Sequence, residues 1–304
     1  MIFKDAANEW FELNRKKWAL HTQDMKLKLF ENWIYPEVGA MDLENIKTRH
    51  LLVIFRKLED QNKTRTTRAV KQVISKVFNY SIASDYCETN PAIAVGDALA
   101  PHIEKNHPFL QPNQLTKFFY AIEKKGRLTT QGKRAFLLIG LTALRCNECL
   151  KAEWSEIDFS KKTWSIPAHR MKMRKEHIVP LTDQMIDILQ MQKSEINHPI
   201  YVFPSPQDKN KPMNAWSLSR SIHHAGFGGQ HVLHGFRHLF STYCHESNKW
   251  RVDTIEVSLA HNIAGVRGVY NKAKYINERR ELMGWYNNQM NIWAKDLKIK
   301  LPVR

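Results

Sequence analysis

The sequence predicts a mainly α-helical chain with one small β-sheet, in which a helical domain at 1–98 is joined by a linker at 99–111 to a mixed domain at 112–304. Three observations carry this prediction. Apolar residues recur at three- and four-residue spacing through most of the chain, the signature of amphipathic helices. The clearest strand-like stretches, TWSIP at 163–167 and EHIVPL at 176–181, bracket a basic turn, RMKMRK. Finally, VGDALAPHIEKNHPFLQP at 95–112 loses the periodicity and is punctuated by proline, as expected of a domain boundary.

Taken in order, Phe3 to Leu20 is amphipathic. Thr22 is placed to cap a second helix through Trp33, which Pro36 and Gly39 end. Thr48 is placed to cap a third, LLVIFRKLED, and NKTRTTRAVKQVISKVFNYSIASDY forms a long fourth that stops before Asn90-Pro91. On that fourth helix Val70, Val73, Ile74 and Val77 mark a packing face, while Lys63, Arg65, Arg68, Lys71 and Lys76 suit a phosphate backbone or a solvated face. Beyond the boundary, helices are expected at 113–124, 130–144, 147–152, 183–193, 214–224, 232–246, 252–260 and 277–296. The last is amphipathic, and its Leu282, Trp285, Met290 and Trp293 are expected to meet either their own domain or a neighbouring protomer.

Composition narrows the function. With 43% apolar residues, nine Trp and fourteen Phe, the chain buries a core and is not disordered. Its first residues lack the apolar stretch of a signal peptide, and the longest apolar-rich run, FLLIGLTAL at 136–144, is too short to span a bilayer. Four Cys form no disulfide framework, so a reducing cytoplasm is the expected compartment. Cys146 and Cys149 make a lone CxxC without zinc-spaced partners and read as packing residues rather than a metal site. Forty-six Lys and Arg against 30 Asp and Glu give +16, of which residues 1–100 supply only 15 − 13 = +2. That excess suits a polyanion, most often nucleic acid.

Cationic and nucleophilic groups then recur in separate segments. LTALRCNECL places Arg145 after an apolar helix with Glu148 three residues on. RMKMRK puts Lys172 in a turn. HGFRHLFSTY sets His234 and Arg237 three apart on a helix whose Leu233, Phe236 and Phe240 face a core. SLAHNIAGVRGVYN places His261 nine residues before Tyr270. Singly, each has a structural reading: a helix cap, a solvated lysine, a satisfied histidine, a half-buried tyrosine.

Together, in this order, these segments resemble the tyrosine recombinases, and more narrowly the P4-type prophage integrases, in which phrases such as HIVPL, HGFRH…ST, LAH and VRG.YN occur. The resemblance spans nearly the whole chain and is strongest from about 134 to 290. It implies a helical, SAM-like core-type DNA-binding domain at 1–98, with Lys63, Arg65, Arg68 and Lys71 toward DNA, followed by a tyrosine recombinase catalytic domain. Arg145 and Arg237 would grip the scissile phosphate, and Tyr270 would attack it to give a 3′-phosphotyrosine. Lys172 would protonate the leaving 5′-oxygen, His234 would take the tyrosine proton or orient the phosphate, and His261 would hydrogen-bond a phosphate oxygen. Glu148 would orient a neighbour. Tyr275, five residues on, is the second candidate nucleophile. Neither metal, ATP nor other cofactor is implied.

The implied partners are double-stranded DNA attachment sites, four protomers at synapsis (a monomer in solution), an excisionase and a host DNA-bending protein, with no membrane. The sequence departs from the family's pattern at Ala143, where glycine is usual, and at His238, where arginine is common. It also begins where the core-binding domain should begin, so the family's N-terminal arm-binding domain is expected to be absent. Rival readings are a catalytically inactive integrase remnant that only binds DNA, a type IB topoisomerase-like enzyme, and a metal-dependent nuclease, for which no clustered carboxylate set is seen.

Overall fold

The computed structural model describes residues 1–99, 107–261 and 274–294. The chain forms two compact units, 1–105 and 106–304.

In the first unit, helix α1 (Phe3–Arg15) buries Phe3, Ala6, Ala7, Trp10 and Phe11, the face its spacing defines. Helix α2 (Leu20–Leu29) follows. The sequence expects Thr22 as its cap and a run to Trp33. Instead Ala19 takes the N-cap position, and the backbone widens into a π-helical turn over Phe30–Ile34 before the short α3 (Tyr35–Val38). The cause is Pro36, which has no N–H to close a normal turn; the wider ring lets the Tyr35 amide reach the Phe30 carbonyl. Helix α4 (Thr48–Asp60) is capped at Lys47 rather than Thr48, whose hydroxyl donates to the Pro91 carbonyl at 3.2 Å. Helix α5 (Thr64–Ala83) buries Val70, Val73, Ile74, Val77 and Phe78. A short α6 (Val95–Ala98) comes next, and Val95 is fully buried in this unit's core. The chain from 95 to 98 is therefore part of the first unit and not aperiodic linker. Of the expected linker, residues 100–106 lie outside the described residues.

In the second unit, α7 (Pro112–Lys125) packs near α8 (Thr130–Thr142), which is buried on nearly every side. Helix α9 (Cys146–Leu150) leads to an antiparallel sheet ordered β1 (Ile157–Asp158), β2 (Thr163–Ile166), β3 (His177–Pro180). Its register pairs Ile157 with Trp164 and Ile166 with His177. The sequence shows only the last two strands, because a two-residue strand carries no periodicity. Four helices follow: α10 (Asp183–Ile196), α11 (Trp216–His224), α12 (Gly235–Glu246) and α13 (Val252–Ser258). The last, α14 (Ile276–Trp293), packs on α7, α8, α12, α13 and β3. Leu282 and Met290 are buried there, Trp285 meets Trp250, and Trp293 meets Tyr243. Up to Ala294 this helix therefore covers its own unit; residues 295–304 lie outside the described residues. No described helix is long and apolar enough to cross a membrane.

Candidate active site

Helix α8 ends because Ala143 turns left-handed (φ +51°), a conformation that favours glycine and costs an L-residue with a side chain roughly 1–2 kcal/mol. The turn brings Arg145 to the N-cap position of α9. Glu148, three residues on and 4% exposed, reaches back to accept from the Arg145 amide at 3.1 Å and from its Nη1 at 2.9 Å. One buried carboxylate thus caps the helix and holds the guanidinium.

Arg237 enters from α12 and is 4% exposed. Gly235 makes this entry possible, since a Cβ there would lie 2.7 Å from the Pro108 carbonyl and 2.9 Å from the His231 ring. Arg237 Nη1 donates to the Ala143 carbonyl at 2.6 Å and Nη2 to the Leu259 carbonyl at 2.6 Å. Both acceptors lie just past helix C-termini, α8 and α13, where the helix dipole stabilises a cation. Nη2 also lies 3.0 Å from His261 Nε2. Burial, then the neighbouring Arg145 charge, lowers the Arg237 pKa to about 10, which leaves it charged at neutral pH. Of its five N–H donors, three are used by these contacts and two are unused among the described residues.

His234 stands at the start of α12, exposed at the mouth of this cluster. Partial desolvation, then the charges of Arg237 and its neighbours, lowers its pKa to about 4, so the ring is neutral at pH 7 and able to accept a proton. Its ring lies 5.1 Å from that of His107 and 5.4 Å from that of His238, which stacks on Phe109. His261 follows α13, exposed, with Nδ1 2.8 Å from Glu256 Oε2.

The structure thus brings Arg145, Glu148, Arg237, His234 and His261 into one cluster. Lys172 is exposed in the turn between β2 and β3, and its ammonium makes no hydrogen bond or ion pair among the described residues. Tyr270 lies outside the described residues. Tyr275, with φ +45°, precedes α14, and its hydroxyl lies 3.4 Å from Asp253. In the first unit Arg65, Arg68, Lys71 and Lys76 line a groove of about 680 Å³ along α5. Lys63 is not in it; its ammonium sits 4.6 Å above the Trp33 ring. Cys149 is fully buried and Cys146 mostly so, and burial pushes the Cys146 thiol up to about 12. Among the described residues no group of three His, Cys, Asp or Glu side chains is arranged to hold a metal.

Several contributors went unread in the sequence. Arg170, just before Lys172, forms a buried ion pair with Glu156 and donates to the Glu148 carbonyl at 2.6 Å, tying the lysine's hairpin to α9. Glu156 also accepts from Trp164 Nε1 at 2.9 Å. Arg279, 2% exposed, donates to Ser258 Oγ, the Lys274 carbonyl and the Ile178 carbonyl, joining α13, α14 and β3. Only the acidic residue of IEVSLAH had a local signal, since Glu256 is five residues from His261.

The phage integrase central domain matches residues 3–98, and the phage integrase family proper matches 108–275. The integrase of Shigella phage Sf6 and the prophage integrase IntS of Escherichia coli K12 are each 34% identical over 291 residues, covering 93% of this chain and 74% of theirs. A lambda integrase (75–356) dimer bound to a COC′ core site superposes with a TM-score of 0.70 at 15% identity, covering 86% of this chain and 96% of that one. A lambda integrase tetramer bound to a Holliday junction gives 0.69 at 16% identity, over 86% and 78%. Fold and cluster together define an enzyme that breaks and rejoins DNA strands at specific sites, a tyrosine recombinase. The chain belongs to the phage integrase family.

Proposed function

We propose that this recombinase integrates and excises a prophage-type element by holding a scissile phosphodiester against Arg145 and Arg237 while Tyr270 attacks the phosphorus. The observation that carries the reading is the buried Arg237, which among the described residues keeps two donors unused, beside a second arginine and a neutral histidine. Guanidinium groups stabilise charge that builds on non-bridging oxygens in the transition state. His234, neutral at pH 7, takes the tyrosine proton. The Tyr270 oxygen forms a bond to phosphorus as the bond to the 5′-oxygen breaks, and Lys172 supplies that oxygen with a proton. A 5′-hydroxyl from the partner duplex reverses the step and rejoins the strand, so the bond energy is conserved in the phosphotyrosine. His261 hydrogen-bonds a phosphate oxygen.

The first unit binds the core of the attachment site through the α5 groove, with Arg65, Arg68 and Lys71 on phosphates. Four protomers act together on two sites; support comes from the lambda integrase tetramer on a Holliday junction. An excisionase and a host bending protein set direction, in a bacterial cytoplasm at the nucleoid.

The test is covalent capture in EDTA on nicked duplexes carrying candidate attachment sites. The expected result is a detergent-stable DNA adduct that Tyr270→Phe abolishes while DNA binding persists. An adduct retained in Tyr270→Phe and lost in Tyr275→Phe would reassign the nucleophile. Salt-sensitive binding without any adduct would overturn the proposed chemistry.

A further inference from the structure

We propose that Glu256 is a positioning residue for cleavage: it fixes the tautomer and the direction of His261. The inference rests on the reading of His261 as a phosphate-binding group. The chain turns back after α13 because Ala260 is left-handed (φ +51°), which sets the His261 amide 3.0 Å from the Glu256 carbonyl. The two side chains then meet, with Nδ1 2.8 Å from Oε2. A carboxylate only accepts, so Nδ1 carries the proton. On the far side of the ring, Nε2 faces Arg237 Nη2 at 3.0 Å, a group that only donates. Both neighbours therefore demand the same tautomer, with Nδ1 protonated and Nε2 a lone pair turned toward the arginine cluster.

The other carboxylate oxygen, Oε1, lies 4.0 Å from His245 Nε2. His245 Nδ1 is 2.7 Å from the Ser241 carbonyl and so carries that ring's proton. At that distance His245 makes no hydrogen bond to Glu256, whose close contact is the one to His261 at 2.8 Å.

When a phosphate oxygen enters, it too is an acceptor. His261 contacts it only after Nε2 takes a proton from solvent, and the Glu256 carboxylate behind the ring balances the imidazolium that forms. Among the described residues, the charged and titratable groups facing this ring are Glu256 from α13 and Arg237 and His245 from α12. The Arg145 charge, after α8, acts on Arg237.

Covalent-complex formation in single turnover, measured from pH 6 to pH 9, tests this. Glu256→Gln keeps an acceptor for Nδ1–H but not the charge. It should bind DNA within about twofold of wild type and cleave at least tenfold more slowly at pH 8. The deficit should shrink toward pH 6, where solvent supplies the proton more readily, and Glu256→Asp should recover part of the rate. In a His261→Phe background, Glu256→Gln should change the cleavage rate less than twofold. A deficit equal at every pH, or one that persists beside His261→Phe, would overturn the role of Glu256. If His261→Phe alone cleaves at the wild-type rate, the assignment of His261 fails first, and the proposal with it.

Discussion

Lowering the pH from 8 to 5 should weaken the catalytic unit by about 4 kcal/mol through two buried histidines. His231 is 2% exposed, with its ring 4.9 Å from that of Phe118 and 4.7 Å from that of Phe236; burial lowers its pKa to about 4. His177 is 6% exposed on β3, and its pKa falls to about 3 through burial and then the charges of Arg279, Arg237 and Arg145. In the unfolded chain both titrate near 6.5. Below that value the unfolded state binds protons that the folded state refuses, so stability is full above pH 6.5 and is lost as the pH falls toward 4 and 3. At pH 5 the gap is about 1.5 units per ring, or about 2 kcal/mol each at 1.36 kcal/mol per unit. Urea unfolding followed by tryptophan fluorescence at pH 8 and pH 5 measures the loss. The decisive comparison is His231→Phe, which suits the aromatic surroundings and does not titrate. It gives up the contact with the Leu110 amide at 3.4 Å, a loss present at both pH values. Groups common to both proteins cancel in the difference, so the variant should lose about 2 kcal/mol less than wild type. Equal losses would refute the account of His231 as a ring held neutral by burial.

Arg145→Lys should reduce covalent-complex formation on the order of 10²-fold with DNA affinity nearly unchanged, because an ammonium cannot both meet Glu148 and grip phosphate side-on; single-turnover cleavage checks this. Lys172→Ala should be slow on an ordinary substrate and near wild type on one with a 5′-thio leaving group, which needs no proton. Failure of that rescue would take the role from Lys172. Removing Arg65 and Lys71 together should reduce the slope of log affinity against log salt by about 2, at roughly 0.9 per phosphate contact. An unchanged slope would place the DNA elsewhere than the α5 groove.

The sequence shows best what lies within one or two turns of helix. Phe236 and Phe240 declare the buried face of α12, and three-residue spacing then puts His234 and Arg237 on adjoining sides. Arg145 and Glu148 are legible for the same reason, being neighbours on one short helix. Contacts made across the fold leave no such trace. Glu156 and Arg170 are 14 residues apart and meet only once the sheet forms, and His107 reaches His234 from a stretch that reads as linker. The π-helical turn at Phe30–Ile34 answers a single missing amide at Pro36, which periodicity does not weigh. Lys63 resembles its basic neighbours in sequence, yet its ammonium sits over the ring of Trp33, thirty residues earlier.

The departure at Ala143 acquires a physical meaning beside Ala260. Both alanines are left-handed, with φ +51°, and each follows the last turn of a helix that delivers a carbonyl to Arg237. The residues launched from these two turns are Arg145 and His261. One buried guanidinium therefore holds the turns that aim the other phosphate-binding groups, and its pull on both carbonyls offsets the strain stored in them. Three donors do this holding, to Ala143, Leu259 and His261. An ammonium has three donors in all, so a lysine here would hold the two carbonyls and, once His261 is protonated, offer a substrate one hydrogen at most. Five donors in a planar fork supply both the scaffold and the two that remain. The number of hydrogens, as much as the charge, requires arginine at 237.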